Sequence, residues 1–412
     1  MALSRRALSI QQSAIRKLDA MVARTPGVHF HRLNIGQPDV PTPRAVLEAL
    51  ARDDGPVLAY GPASGLPECR AAAAAWHTRT SPRDMSALSA DNVVVTQGGS
   101  EALLFAMIAL CDPGDEIIVP EPYYTNYNGF ATMAGVHVVP VMTTLDDGFA
   151  LPSDAALDAA VTPRTRALLF SNPGNPTGAV YGADALARVA AWCAARDLWL
   201  VVDEVYRAIW FDHPPTSALT LSAHADRVIV IDSTSKTFSS CGLRVGFLIS
   251  RNGELMEKIE RLGQARLGPQ PRAQRAAIAA LTLPQSFLDE VRLTYQRRVD
   301  AMLGALALLP GVAFHKPAGA FYTMARLPVS DTEAFARFLV EEFRHGAGER
   351  AESVVVAPGP GFYSAAPPAR ATPTVSKRGQ DEVRLAAVRD EATLTRAVVV
   401  LGHALAAYRA RA

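Results

Sequence analysis

The 412-residue chain has only four cysteines, no apolar run long enough to cross a bilayer and almost no net charge. Cys69, Cys111, Cys193 and Cys241 are widely separated and form no Cys-x-x-Cys pair. No disulfide framework is therefore expected, and a reducing, cytoplasmic setting is. The nine histidines form no His-Glu-x-x-His, so no metal site is expected. The longest apolar run, residues 102–110, is half the ~20 residues that a membrane helix needs, and no membrane association is expected. Lys plus Arg number 41 against 40 Asp plus Glu, which offers no electrostatic footprint for nucleic acid. Near the start, Arg5, Arg6, Arg16, Lys17 and Arg24 face only Asp19, yet no apolar core accompanies them and the stretch runs straight into the patterned residues 33–43. It reads as part of the folded chain rather than as a transit peptide.

What is present is globular: hydrophobic residues make up 49 % and charged residues 20 %. The length suits two to three domains. Apolar, mostly non-alternating runs at 93–95, 117–119, 136–141, 168–170, 200–202, 228–231 and 245–249 read as strands covered on both faces. Stretches of helical length, such as 100–110 and 184–196, lie between them, so an α/β domain around a mostly parallel sheet is expected. Residues 286–309 form one long amphipathic helix that Pro310-Gly311 ends. A smaller strand and helix set follows at 314–324, 331–343 and 354–357, and residues 364–380, with Pro367, Pro368 and Pro373, read as an exposed loop.

Four segments carry chemistry. VIVIDSTSKTFSSCGLR (228–244) places Ser233, Thr234, Ser235 and Lys236 just beyond a buried strand, with Arg244 eight residues after the lysine. Ligands of open α/β sheets sit at that edge, where desolvation and nearby cations lower an amine's pKa and leave it able to attack a carbonyl. Alone, the pattern fits a lysine snorkelling from a loop equally well. Ser233 to Lys236 also matches the Ser-x-x-Lys of serine acyl enzymes, whose companion Ser-Asp-Asn and Lys-Thr-Gly elements are absent. VVTQGGSEALLFAMIAL (94–110) leads from a strand through Gly98 and Gly99 into a helix starting near Ser100, whose amides and hydroxyl form a phosphate cradle. DLWLVVDEVY (197–206) ends an apolar strand in Asp203, where a carboxylate needs a cationic partner or caps the next segment. SNPGNPTG (171–178) is a rigid turn that aims the amide of Asn175.

Together with LNIGQPD (33–39), YGPASGLPECR (60–70), EPYYTNY (121–127) and DEVRLAAV (381–388), these segments closely resemble the class I/II aminotransferases, pyridoxal-phosphate enzymes of fold type I, in the aspartate-aminotransferase-like branch. The resemblance spans nearly the whole chain, and its order and spacing make it specific where each motif alone is weak. It implies a fold type I α/β enzyme: a large domain with a mostly parallel seven-stranded sheet between helices, plus a smaller α/β domain. Residues 1–45 would form an N-terminal arm and part of the small domain, 46–285 the large cofactor-binding domain, and 286–412 the interdomain helix and the rest of the small domain.

The resemblance also implies roles. Lys236 corresponds to the lysine that forms the internal aldimine with pyridoxal phosphate, and Asp203 to the acid that keeps the pyridine nitrogen protonated. Asn175 and Tyr206 correspond to the groups bonded to the phenolic oxygen, and Tyr124 to the aromatic stacked on the ring, often tryptophan in this family. Gly99, Ser100 and Glu101 at the helix start, with Ser233 and Arg244, complete the cofactor site, joined by Tyr60 from the neighbouring subunit of a homodimer. Arg384 corresponds to the clamp on the substrate α-carboxylate, where Gly36 and Asn175 also contribute.

The implied activity is a ping-pong transamination between an L-α-amino acid and a 2-oxo acid, with Lys236 moving the Cα proton. Dicarboxylate specialists need a second cation, for which Lys17, Arg24 and Arg266 are candidates without motif support. The 364–380 stretch, longer than the family pattern, precedes Arg384 and bears on the entrance. β-Elimination or γ-substitution on the same scaffold would use the same Lys236 and Asp203. A pyridoxal-phosphate effector domain of a transcription regulator would require an attached helix-turn-helix and a basic face.

Overall fold

A computed structural model describes residues 3–10, 14–52, 55–81, 85–364 and 378–411. Among them the strands form sheets of seven, four and two. The large sheet runs in the order Val93–Gln97, Val245–Ser250, Val228–Ser233, Trp199–Asp203, Thr165–Ser171, Glu116–Glu121 and His137–Met142. Each apolar run read as a strand lies in it, save that Val136 precedes His137–Met142 by one residue. Val245–Ser250 is antiparallel to both neighbours and the other pairs are parallel.

Successive strand residues point to opposite faces, so non-alternating apolar runs supply two cores at once. Val95, Leu168, Phe170, Leu200, Val202 and Val230 pack on one face with Trp76 and Leu186. Ala167, Leu169, Val201, Ile229 and Ile231 pack on the other with Leu103 and Met107. Each fully buried Val, Leu or Ile contributes roughly 1.5–3 kcal/mol relative to exposure. A charge at Val201 or Val202 would therefore cost more than most loop changes.

This topology decides where the functional ends meet. Thr165–Ser171, Trp199–Asp203 and Val228–Ser233 finish at one edge, with Asp203 opposite Ser171. Because Val245–Ser250 is antiparallel, its start lies at that same edge, Gly246 opposite Ser233 and Val245 opposite Gln97. Arg244 thus arrives beside the start of helix Gly98–Leu110. That helix begins two residues ahead of the expected Ser100. Gly98 has φ +73°, a left-handed backbone that favours glycine, and the Arg244 guanidinium packs against it.

The long helix spans Gln285–Leu306, ending before the expected residue 309. The stretch 314–324, expected as strand, divides into Ala313–Phe314 and Tyr322–Arg326. Between them the N–H groups of Ala318 and Gly319 donate to Gly178 and that of Ala320 donates to Ile209, which takes this backbone out of the ladder. Residues 354–357 likewise fall in two strands: Glu352–Val355 pairs with His29–Arg32, and Ala357–Pro358 pairs with Glu382–Ala386. A third core joins Leu18, Val22 and Leu33 with Tyr295, Met302, Val383, Leu385 and Leu401, residues from both halves of the chain. Most of the 364–380 loop, residues 365–377, lies outside the described residues. No described helix is long and apolar enough to cross a membrane.

Candidate active site

A cavity of about 680 Å³ opens at the edge where these strands end. Lys236, Asp203, Tyr206, Gly99, Ser100, Tyr124, Asn175, Ser233, Arg244, Gly36 and Arg384 all line it. Glu101 and Tyr60 do not. The Glu101 carboxylate instead meets Arg266 at 2.9 Å and accepts from the Gln97 N–H at 2.8 Å. Tyr60 is 85 % exposed.

Asp203 is 4 % exposed, but the cationic partner expected for it is not a side chain of the described residues. Its Oδ2 accepts from the Tyr127 hydroxyl at 3.1 Å, and its Oδ1 accepts from the Val205 N–H at 3.3 Å, a turn contact of the capping kind. Burial pushes this carboxyl up to about 6, against the pull of those two bonds and of Lys236. A buried acid with two neutral donors and no cation is suited to a protonated ring nitrogen. Lys236 is half-buried, and its Nζ donates to the carbonyl of Gly36 at 2.8 Å.

The phosphate side is built by the antiparallel strand. Arg244 adopts a left-handed backbone, φ +55°, and its guanidinium donates to the carbonyls of Cys241 at 3.0 Å and Gln97 at 3.3 Å. It sits at the positive end of helix Gly98–Leu110, whose first amides have no partner within the helix. With Ser100 and Ser233 on the same lining, this corner is suited to a doubly charged anion.

Arg384 is 3 % exposed, so the alternative of a surface salt bridge is excluded. Its Nη2 donates to the Asn34 carbonyl at 2.6 Å and its Nη1 donates to Asn175 Oδ1 at 3.1 Å. The guanidinium carbon lies 4.3 Å from the ring centre of Tyr322 and 4.8 Å from that of Phe362, while Nε has no partner. A buried cation with a donor to spare is costly without an anion, which makes a carboxylate ligand a good match. Asn175 is itself held by its N–H bond to Ser171 Oγ at 2.9 Å.

Tyr206 Oη stands 3.0 Å from Tyr322 Oη, and burial holds the Tyr206 phenol protonated far above neutral pH. Tyr124 accepts from Asn126 Nδ2 at 2.9 Å and meets Tyr127 edge-on at 5.5 Å. Its phenol is pushed up to about 12 by burial. Of the three cations considered for a distal carboxylate, none lines the cavity, and Arg266 is engaged by Glu101. Arg16 lines it instead, beside Asp19.

Sequence reasoning missed Tyr127, Asn34, Arg16 and Tyr322. Tyr127 was detectable, since it follows Tyr124 by three residues and begins a helical face. Asn34 acts through its backbone, and Tyr322 arrives from a distant strand, so neither carries a local signal.

The donor set therefore fits pyridoxal phosphate: a buried acid without a cation for the ring nitrogen, a cationic helix start for the phosphate, and an amine between them. The family model for aminotransferase class I and II matches residues 28–358. An aspartate/prephenate aminotransferase of Thermus thermophilus is 33 % identical over 345 residues, covering 81 % of this chain and 87 % of the relative. An arginine–pyruvate transaminase of Pseudomonas aeruginosa is 35 % identical over 321 residues, covering 76 % and 79 %. Among solved structures, an aspartate aminotransferase from Thermotoga maritima superposes with a TM-score of 0.86 at 30 % identity, over 98 % of this chain and 100 % of that one.

Proposed function

The chain belongs to the class I and II aminotransferases and is a pyridoxal-phosphate-dependent transaminase, and from that premise we propose how its own residues divide the reaction. When bound, pyridoxal phosphate supplies an electron sink for the charge left as Cα loses its proton. Asp203 neutralises the protonated ring nitrogen, and Arg244, Ser100, Ser233 and the amide of Gly99 hold the phosphate. Asn175 and Tyr206 orient the ring, and Tyr124 covers one face of it. Arg384 would grip the α-carboxylate of the amino acid, and the free amine of Lys236 would take the Cα proton and deliver it to the cofactor carbon that carries the amino nitrogen, the reverse transfer serving the 2-oxo acid. The amino group passes from an L-α-amino acid to a 2-oxo acid in two half-reactions. The observation that carries this reading is the convergence on one cavity of a buried Asp203 without an ion-pair partner among the described residues, the Lys236 amine and the buried Arg384.

The exposed Tyr60 belongs to an apolar exposed stretch with Leu47, Val57 and Leu58, which supports a homodimer in which Tyr60 reaches the neighbouring cofactor phosphate. The core shared by Leu18, Leu33, Met302 and Leu401 supports a small domain of residues 1–45 and 286–412 beside a large one of 46–285. Four unpaired cysteines support a cytoplasmic setting. Arg16 at the mouth supports an amino donor with an acidic side chain. A single turnover tests the reading: the loaded enzyme mixed with an L-amino acid should lose its visible absorbance and release an equal amount of 2-oxo acid. Release of ammonia together with the oxo acid would instead indicate elimination.

A further inference from the structure

Tyr322 opens the strand Tyr322–Arg326 and is 2 % exposed, yet its side chain lines the cavity. Its hydroxyl is 3.0 Å from Tyr206 Oη and 3.5 Å from the Gly36 carbonyl oxygen, the same atom that accepts from Lys236 Nζ at 2.8 Å. Its ring lies 4.3 Å from the Arg384 guanidinium, held there because Met324 and Arg384 are paired across adjacent strands. The backbone of Gly36 is shaped around this hydroxyl: a Cβ at Gly36 would lie 1.7 Å from Tyr322 Oη. One side chain therefore touches a phenol, the lysine's acceptor and the carboxylate clamp.

A hydroxyl has one proton to donate. The Gly36 carbonyl is distant and already serves Lys236, whereas Tyr206 Oη is at normal hydrogen-bond length. If Tyr322 donates to Tyr206, the Tyr206 proton is left to point into the cavity. A hydroxyl that accepts a bond is also a stronger donor, since hydrogen bonds in a chain polarise one another.

We propose that Tyr322 is a positioning residue for transamination: its hydroxyl donates to Tyr206 and turns the Tyr206 proton toward the cofactor, while its ring braces Arg384. This rests on the functional reading above. The charged and titratable groups that face the pair are Arg384 from the strand Glu382–Ala386, Tyr124 from the segment after Glu116–Glu121, and Lys236 through Gly36.

The two contacts separate by substitution. Tyr322→Phe removes the hydroxyl and keeps the ring over Arg384, whereas Tyr322→Leu removes both. The pH midpoint of the visible absorbance of bound pyridoxal phosphate should rise by about half a pH unit in Tyr322→Phe, because a weaker donor favours the more negative state of the site less. The KM for the amino acid should stay within about twofold in Tyr322→Phe and rise about tenfold in Tyr322→Leu, as loss of a desolvated cation–π contact requires. A midpoint equal to wild type in Tyr322→Phe would overturn the hydroxyl role, and an equal KM in both variants would overturn the bracing role. If Tyr322→Leu does not fold, Tyr322→Phe alone decides the hydroxyl role and Tyr322→Met replaces it for the bracing role. Failure of the functional reading would show in the wild type, as the lack of any visible band with pyridoxal phosphate, and not in the variants alone.

Discussion

Lys236 and Arg384 face one cavity but reach it by different routes. Lys236, Ser233 and Arg244 come from a single segment at the end of one strand and the start of the next, and Asp203 ends the neighbouring strand. The Arg384 side is assembled from residues far apart in sequence: Asn34, Asn175, Tyr322 and Arg384 meet only after both halves of the chain have packed. The cofactor side is therefore fixed by the topology of the large sheet. On the roles proposed above, the substrate side depends on how two cores sit together, and changes there should alter specificity while the cofactor is kept.

The largest effect should come from the cofactor side. Lys236→Ala should lower turnover by ~10⁴-fold or more, since both proton transfers use this amine, and should remove the visible absorbance of the bound cofactor. Retained turnover would dissolve the distinction between the two sides at once. Next, Arg384→Lys should lower kcat/KM by ~10²–10³-fold, because a point charge replaces a fork that holds a carboxylate through paired bonds. Steady-state rates over a range of amino acid concentrations give that value.

How far each side was legible follows from the same contrast. The seven strands and Asp203, Lys236 and Arg244 were readable because each lies within a few residues of an uninterrupted apolar run, whose end marks the sheet edge. The helix starts two residues before the expected Ser100: Gly98 reads locally as turn, whereas its left-handed backbone, φ +73°, opens the helix. Among the described residues no side chain forms an ion pair with Asp203, which instead accepts from Tyr127 and a backbone N–H. Tyr322 and Arg16 carry no motif, since their positions depend on packing between distant segments.

A smaller effect sharpens the comparison through pH. Burial raises the Asp203 carboxyl to about 6 in the cofactor-free protein, so the folded state binds a proton that the unfolded state has lost. Stability associated with this group is present below the ordinary carboxylate range and is lost as pH rises through about 6, by ~3 kcal/mol in full. A protonated ring nitrogen relieves that cost. The rise in melting temperature on adding pyridoxal phosphate should therefore be larger at pH 8 than at pH 5, and Asp203→Asn should flatten the difference. The smallest effect belongs to the cavity mouth: Arg16→Gln should raise the KM for an acidic amino acid about fivefold and leave that for an aliphatic one unchanged, as expected of a partly solvated charge.

The division between the two sides is tested most directly in Arg384→Lys, by measuring bound pyridoxal phosphate per subunit together with the single-turnover rate against amino acid concentration. The account predicts wild-type cofactor content, with half-saturation displaced by ~10²-fold or more. Cofactor lost in parallel with substrate affinity, or half-saturation equal to wild type, would contradict the assignment of Arg384 to the substrate alone.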